Sequence, residues 1–496
     1  MKTQNPLRDR AGDFLRNNNV TLMFILLCVG AFYASGTGLT YLLPELFTRI
    51  GRNTFMVLSL IVPVVAGLGL NFGIVIGAVA AQIAIFLVVL WGIQGLLGIL
   101  LCVLICTPLA IFFGYLVGRL FNSMKGTEMV GGLVAGYFSD GLYQLLFLFI
   151  FGGVIPIKHP VLMIPTGMGV KNTINLDKTL RYAIDEVPMV SIIDGAFWII
   201  IAVSVFQLVW RLAKKQDLGL KKLAIRVGVT VAAYVLTFIP AVSGMLQFRR
   251  LLLLNAIELA VLGVVLYNLY RIIRQKLVEK QPGVPTKQLI AIAIAGVVYA
   301  CTYIPSLYAA FVSVRLPVLT YLCIAGLCVL IPWFMDTKLG QEMRTVGHSR
   351  EVAASAGIDV NRTRIIAMII STVLASYAQI ISLQNIGTVA TYGSHQQVGL
   401  YAIAALLVGG ASVQRANVKQ AVLGVILFHT LFILSPIAGK QLMGNAQIGE
   451  YFRVFVAYGV IALALAMHAW SANESRKKKA KADRQHSRDG SVPKAS

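Results

Sequence analysis

Apolar runs separated by short polar segments recur along the whole chain. About fourteen runs approach the ~20 residues that a helix needs to cross a bilayer. The pattern therefore predicts an all-α, polytopic bundle of about fourteen transmembrane helices. The runs are Val20–Ser35, Thr54–Leu70, Phe72–Trp91, Leu96–Val117, Val130–Ile155, Gly195–Trp210, Leu223–Met245, Leu251–Tyr270, Gln288–Pro305, Val318–Phe334, Ile365–Ile381, Val398–Ala411, Ala421–Pro436 and Val454–Trp470.

The second and third runs meet at a junction crowded by glycine. Gly67, Gly69 and Gly73 surround Asn71 within one short stretch. Because glycine weakens a helix, the junction predicts either two short spans or one broken, partly re-entrant segment.

Composition supports a membrane protein. Hydrophobic residues make up 57% of the chain and charged residues 13%, with a mean hydropathy of +0.78. Soluble domains carry roughly 25% charged residues. A formal net charge of +23 raises nucleic-acid binding as an alternative, but so apolar a chain leaves little surface for a basic patch. We therefore expect no nucleic-acid partner.

The positions of the cations predict the orientation of the bundle. If both termini are cytoplasmic, thirty-two of the 43 lysine and arginine residues fall in the tails and in every second loop. Cytoplasmic loops carry such an excess, so we expect both termini inside and an even number of spans. Arg249 and Arg250 are the main exceptions, because they lie on an expected outer loop.

The cysteines do not predict a metal site. All six cysteines lie in apolar runs, and Cys102 and Cys106 have no histidine or carboxylate beside them. We expect them to pack as small hydrophobes.

The tail at 471–496 is basic and rich in Ser and Lys, so we expect it to be disordered and to lie against anionic membrane lipid.

One polar loop, between the tenth and eleventh runs, has the signals of a short capped helix. Ser349 is a helix N-cap residue, and Glu351 would lie in the first turn, where the helix dipole favours an acid. Ala353 and Ala354 are small helix formers, and Gly357 supplies the left-handed position that ends a helix. The loop therefore predicts a two-turn helix along the cytoplasmic face, with small side chains that suit a groove on a partner.

This loop resembles the coupling loop of permease subunits in bacterial ABC importers, in the branch that handles ribose-like sugars, nucleosides and branched-chain amino acids. A second stretch, Leu400–Ser412, is similar to the family's L-x-A-I-A-A-V-V-L-G-G-T-S block, and Ala66–Gly73 is weakly similar to its Gly-rich run. The family pattern in the loop is met by Thr337, Gly340, Gly347, Ala353, Gly357 and Ile358.

The resemblance implies a division of the chain. Residues 1–156 would form the N-terminal half of the permease domain, and 316–470 its C-terminal half with the coupling loop. Residues 157–315 have no counterpart in the resemblance and would be an insertion with an external loop and about four extra spans. Residues 471–496 would be the cytoplasmic tail.

The resemblance also implies partners. Two permease subunits, a homodimer or a pair of paralogues, would enclose a path through the bacterial inner membrane. An extracytoplasmic solute-binding protein would deliver the solute, and a separate ATPase subunit would use ATP. The residues implied in ATPase coupling are Thr337, Gly340, Gly347, Glu351, Ala353, Ala354 and Gly357.

The chain itself shows no nucleotide-binding motif. G-x-x-x-x-G-K-[ST] is absent from the sequence, and Pro165–Thr173 resembles a phosphate loop with the wrong spacing. We therefore expect a transport subunit that is not an enzyme and binds no cofactor of its own.

Polar residues inside apolar runs are candidates for the solute path. Asp140 is the most informative, because a carboxylate within a membrane span is usually functional, although a paired, structural Asp140 is an equal alternative. The other path candidates are Asn71, Gln82, Ser139, Tyr143, Gln144, Gln379 and Gln384. Gln82, Gln379 and Gln384 could each instead only bridge helices.

The sequence therefore predicts the membrane subunit of an ABC importer for a sugar or nucleoside. The alternative is a secondary active transporter for a small polar solute, which would need an ion gradient and more intramembrane carboxylates than Asp140, Asp194 and Glu258. A membrane-embedded enzyme would need a catalytic motif, and the sequence shows none.

Overall fold

The computed structural model describes residues 19–462 except 125, 166–168, 215–219, 278–285, 446, 456–457 and 460, and also residue 466. The predictions for the tail at 471–496, and for most of the run Val454–Trp470, lie outside the described residues. The helices of the first part are α1 (Asn19–Ser35), α2 (Leu39–Ser59), α3 (Ile61–Val65), α4 (Val75–Leu90), α5 (Gly95–Ser123) and α6 (Glu128–Leu145).

The middle of the chain alternates helices with short strands. These elements are β1 (Thr173–Asn175), α7 (Met189–Ala213), α8 (Leu220–Leu236), α9 (Pro240–Met245), β2 (Arg250–Leu252), α10 (Leu253–Leu277), α11 (Thr286–Cys301), α12 (Pro305–Ser313) and β3 (Arg315–Pro317). The last part holds α13 (Val318–Met335), α14 (Lys338–His348), α15 (Arg350–Ser355), α16 (Val360–Ile386), β4 (Thr388–Ala390), α17 (Val398–Val408) and α18 (Val418–Met443).

The all-α polytopic class is confirmed. Among the described residues, eight helical segments are long and apolar enough to cross a membrane. The α11–α12 pair, bent by 87°, would be a ninth span. Other apolar runs form shorter helices, such as the 11-residue α17. The count of fourteen spans and the cytoplasmic position of both termini stay predictions.

The helix breaks at the glycine-rich junction. After α3 the chain is irregular up to Asn71, and a short 3-10 turn, Phe72–Ile74, then leads into α4. Leu68 and Leu70 are buried in this break. Irregular backbone at membrane depth persists only where protein or a water-filled cavity surrounds it, so the break marks the interior of the bundle.

α16 is the central helix. It packs against α2, α4 and α5, while α18 packs against α1 and α2. Ser371, Thr372 and Ser376 are buried on α16, and small residues of this kind allow helices in a membrane to approach closely.

The two ends of α16 have different neighbours. Its N-terminal end lies beside α14 and α15, and its C-terminal end leads into β4. There β1 pairs antiparallel with β4, with Ile174 opposite Val389. β2 pairs antiparallel with β3, with Leu251 opposite Leu316.

The middle of the chain contains an approximate internal repeat that the apolar-run pattern did not show. Thr237–Pro240 and Thr302–Pro305 share the pattern T-[FY]-I-P, and Arg250 and Arg315 follow the two prolines at the same spacing. Each proline starts a short helix, because proline fits the first turn. Each short helix leads to a strand and then to a long helix, and the two strands pair with each other.

Candidate functional site

A buried polar cluster joins α6, α4 and the turn that follows β4. The side chain of His395 is fully buried, and its Nε2 donates a hydrogen bond to Oδ1 of Asp140 at 2.7 Å. Its Nδ1 lies 3.0 Å from Oε1 of Gln82. His395 therefore connects two residues that the sequence predicted as path candidates on different helices.

The Asp140 carboxylate accepts two more hydrogen bonds. Nε2 of Gln144 and Nε2 of Gln396 lie 3.2 Å and 3.0 Å from its second oxygen, Oδ2. The ring of Tyr143 meets the imidazole of His395 edge-on, with 4.7 Å between the ring centroids. Asp140 is half-buried, and these hydrogen bonds hold its carboxylate in place.

The other path candidates lie around or away from this cluster. Gln379 donates to the backbone oxygen of Ser394 at 3.1 Å and so supports the turn that carries His395. Asn71 is fully buried in the helix break, where its Nδ2 lies 3.4 Å from Oγ of Ser371. Ser139 faces a separate apolar groove of about 550 Å³ between α5 and α6.

Gln384 lies apart from the polar cluster. At the C-terminal end of α16 it donates to Oδ1 of buried Asp185 at 3.0 Å. The same carboxylate accepts hydrogen bonds from Thr320, at 2.5 Å, and from Asn385. The structure therefore places Gln384 with the chain segment that follows β1.

His395 and Gln396 were missed by the sequence analysis. They lie between two apolar runs, in a segment that reads as an external loop. The turn instead enters the bundle, and His395 is buried there. A histidine beside two glutamines, directly before an apolar run, was the available signal.

A polar cavity of about 310 Å³ adjoins Asp140. It lies where the 3-10 turn before α4 meets the start of α17, with Gly399 packed against Ile74. The polar and aromatic residues that line it are Phe72, Tyr137, Asp140, Gln396, Gln397 and Tyr458. Carboxylate and amide groups between aromatic rings offer hydrogen bonds and apolar faces together, which suits a neutral solute with many hydroxyl groups.

The start of the predicted coupling loop has a well-formed cap. Thr337 is the N-cap of α14, and its Oγ1 accepts a hydrogen bond from the N–H of Gly340 at 3.3 Å. Ser349 caps α15, and its Oγ accepts from the N–H of Val352 at 3.3 Å. Glu351 lies in the first turn of α15. The predicted N-terminus of the short helix is thus present.

The end of α15 also has the predicted form. Gly357 has φ +78°, and its N–H donates to the oxygen of Ala354 at 3.0 Å. The N–H of Ile358 donates to the oxygen of Ala353 at 3.0 Å. These two bonds are the Schellman pattern of a glycine-terminated helix. Ala353 is buried, while Ala354 and Gly357 are exposed, as is Glu351, so α15 presents a surface of small side chains.

The loop rests directly on the helix break. A Cβ atom on Gly347 would overlap the carbonyl oxygen of Val65, and one on Gly67 would meet the Cα of Gly347 at 2.7 Å. Only glycine permits this approach of two backbones. Two separate segments of the family resemblance are therefore in contact here.

A buried ion cluster joins α15 to α6. Oε1 of Glu128, at the start of α6, accepts from Nη2 of Arg350 and from Nη2 of Arg364, each at 2.5 Å. Arg364 is fully buried, and Arg350 also lies 3.3 Å from the oxygen of Gly67. Charge-assisted hydrogen bonds of this kind are among the strongest in proteins. The first residue of α15 is thus tied to the helix that carries Asp140.

The described residues thus form a bundle of apolar helices with a polar cluster beside a cavity and a capped helix exposed at one end, an arrangement like that expected of a membrane permease. Residues 223–465 match the family described as "Branched-chain amino acid transport system / permease component". This match begins within the region predicted to be an insertion.

Curated relatives are sugar permeases. The D-allose transport system permease protein AlsC of Escherichia coli K12 is 26% identical over 163 residues, 32% of this chain and 46% of the relative. The ribose import permease protein RbsC of the same strain is 31% identical over 145 residues, 29% of this chain and 43% of the relative. The xylose transport system permease protein XylH of Haemophilus influenzae is 25% identical over 221 residues, 44% of this chain and 55% of the relative.

These matches confirm the resemblance to permease subunits of ABC importers for sugars. The chain spans about half the length of the curated relatives that it matches. No solved structure gives a significant match.

Proposed function

We propose that this chain is the membrane subunit of an ABC importer that carries a monosaccharide across the bacterial inner membrane. The sequence left sugars and nucleosides open, and the names of the relatives, which concern allose, ribose and xylose, favour a sugar. The observation that carries the proposal is the connection of α15, through Glu128, to the helix that bears Asp140.

The cavity beside Asp140 supports a sugar as the solute. Asp140 and Gln396 would exchange hydrogen bonds with hydroxyl groups, and the rings of Tyr137 and Tyr458 would face the C–H surface of the sugar. His395 and Gln82 would hold the carboxylate from behind. The mostly apolar walls of the bundle would keep the solute from being trapped.

The coupling loop supports a separate ATPase as the energy source. The small side chains of α15 would enter a groove on that subunit, and closure of two ATPases would push on α15. The Arg350–Glu128 contact would pass this motion to α6 and so to Asp140. A second permease subunit and an extracytoplasmic solute-binding protein would complete the complex, with both termini of about fourteen spans in the cytoplasm.

Gly357 gives the sharpest test of this assignment. A Gly357→Val variant forces a β-branched residue to φ +78°, at a cost of about 1–2 kcal/mol, and adds bulk to the exposed end of α15. We expect the variant to reach the membrane but to lose an ATPase on purification and to lose ATP-driven uptake of radiolabelled ribose, xylose or allose. Ser355→Ala, at an exposed position of the same helix, is the matched control.

A secondary active transporter is the second candidate, and the Asp140–His395 pair favours it, because carboxylate and imidazole groups relay protons in such carriers. Uptake that stops with a proton ionophore while ATP is maintained, in a protein that never retains an ATPase, would reject the importer assignment. Uptake that persists with the ionophore and follows ATP would support it.

A further inference from the structure

Three arginines lie at the end of the bundle away from α15, apart from the cavity that adjoins Asp140. Arg52, Arg250 and Arg315 line a polar cavity of about 120 Å³ beside Asn385, at the C-terminal end of α16. Tyr182 also lines it. We call these five residues the outer arginine pocket. Arg250 is one of the two cations that did not fit the positive-inside pattern.

The internal repeat brings two of these arginines together. Arg250 begins β2 and Arg315 begins β3, at equivalent positions of the two copies, and the antiparallel pairing of the strands places both beside the same cavity. Arg52 comes from α2, and its Nε donates to Oδ1 of Asn385 at 2.5 Å. That bond orients the guanidinium and leaves its two Nη groups available.

Among the described residues that line this cavity, Asp185 is the one carboxylate beside the three arginines. In the described part of the chain none of them forms an ion pair, whereas the neighbouring Arg249 pairs with Glu186 at 3.7 Å. Asp185 also lines the cavity, but its oxygens accept hydrogen bonds from neutral side chains. Three guanidinium groups thus surround one carboxylate, and the cavity has an excess of positive charge.

Tyr182 is held in an uncommon conformation at this cavity. It has φ +56°, although it is not glycine, and its N–H donates to the oxygen of Gln384 at 2.9 Å. The guanidinium of Arg250 lies 5.3 Å from the centre of its ring, within cation–π range. Such backbone strain persists where the surroundings enforce it, often at ligand sites.

The adjacent Arg181 does not add to the free charge. Its Nη1 pairs with Asp177 at 2.5 Å. The amide of Asn175, together with Arg181, holds the pKa of the exposed Asp177 carboxyl below its ordinary value. Asp177 therefore stays ionised at neutral pH and keeps Arg181 occupied outside the pocket.

We propose that the outer arginine pocket binds a phosphate group. The planar guanidinium fork matches phosphate oxygens in pairs, and three such groups suit a tetrahedral anion with several acceptors. Two sources share this chemistry: the headgroup of an anionic phospholipid and a soluble phosphate compound. The site is independent of the sugar path and does not require the importer assignment.

Native mass spectrometry of the full-length protein in detergent tests the proposal. The probes are phosphatidylglycerol, phosphatidylcholine as a zwitterionic lipid, and inorganic phosphate. We expect phosphatidylglycerol or inorganic phosphate to bind the unmodified protein, and the double variant Arg250→Gln/Arg315→Gln to bind it about tenfold more weakly or worse. Selective retention of phosphatidylglycerol identifies a lipid, and binding of inorganic phosphate alone identifies a soluble ligand.

Arg249→Gln is the matched control, because Arg249 neighbours Arg250 but pairs with Glu186. It should bind the probe as the unmodified protein does. If the double variant fails to fold, Arg315→Lys keeps the charge, removes the fork and should still weaken binding severalfold. Equal binding by the double variant and the control, or no binding of either anionic probe to the unmodified protein, would overturn the proposal.

Discussion

In the proposed path, the chemistry would depend on one carboxylate and its surroundings. Asp140 accepts hydrogen bonds from His395, Gln144 and Gln396. A half-buried carboxylate with three donors is well stabilised, because hydrogen bonds to charged groups contribute about 1.5–3 kcal/mol each. The same carboxylate borders the 310 Å³ cavity, so in the proposed path a change here would affect the solute directly.

Replacing Asp140 by Asn should strongly impair transport. The amide has a similar shape but replaces one carboxylate oxygen with an NH2 group, so the hydrogen bonds which that oxygen accepts are lost. We expect uptake to fall at least about tenfold while the protein remains in the membrane, measured with radiolabelled sugar in whole cells. Ser139→Ala changes the neighbouring residue, which faces the apolar groove, and should leave uptake near normal. Equal uptake in the two variants would show that Asp140 does not take part in transport.

Part of the site was predictable because several of its residues lie close together in the sequence. Asp140, Tyr143 and Gln144 share one helix, so their spacing alone groups them. His395 was not predictable, because the turn that carries it enters the bundle through tertiary packing. Gln384 was grouped with Gln379 by sequence, but their partners lie at different depths along α16.

In the proposed mechanism, contacts between separate elements would carry the coupling. α14 and α15 contact the core at two points: Arg350 of α15 reaches Glu128 on α6, and Gly347 of α14 touches the helix break at Gly67. Both caps of α15 were predicted correctly, because capping depends on residues within a few positions. The two contacts could not be predicted, since they join segments far apart in the chain.

Removal of the Glu128 charge should separate ATP hydrolysis from transport. Glu128→Gln leaves Arg364 buried without a counter-ion, which costs about 3–5 kcal/mol when one partner of a buried pair is removed. We expect a lower melting temperature and ATPase activity that no longer drives uptake. Glu351→Gln, at an exposed acid of α15, should change stability by less than about 0.5 kcal/mol. If both variants behave alike, the ion cluster does not transmit the motion.

The close contact of Gly347 with the helix break at Val65 and Gly67 can be tested by substitution. In Gly347→Ala the new methyl group would overlap the carbonyl oxygen of Val65, and overpacking of this kind costs about 1–3 kcal/mol. We expect a lower melting temperature and reduced uptake. Gly326→Ala, in open space on α13, should be neutral or stabilise the helix by about 0.5–1 kcal/mol. A Gly347→Ala variant as stable as this control would contradict the contact.

Across the whole molecule, the sequence analysis predicted the helical class and the family resemblance but not the topology of the middle region. Apolar runs report the presence of helices, because burial and lipid both favour them. They do not report the bend of 87° between α11 and α12 or the strand pairs that join distant segments. The lengths of the apolar runs also do not reveal the repeat at Thr237–Pro240 and Thr302–Pro305, because it is a match between short residue patterns.

The pairing of β1 with β4 has a consequence for how the protein assembles during synthesis. β1 lies ahead of α7, whereas β4 follows α16, so the partner of β1 is made only after most of the bundle. Until then the segment around Asp185 lacks its Gln384 and Asn385 partners. Contacts between distant segments form late and slowly, so the pairing of β1 with β4 should be among the last steps of folding. Nascent chains stopped before α16 should therefore remain sensitive to protease in the segment around Asp185.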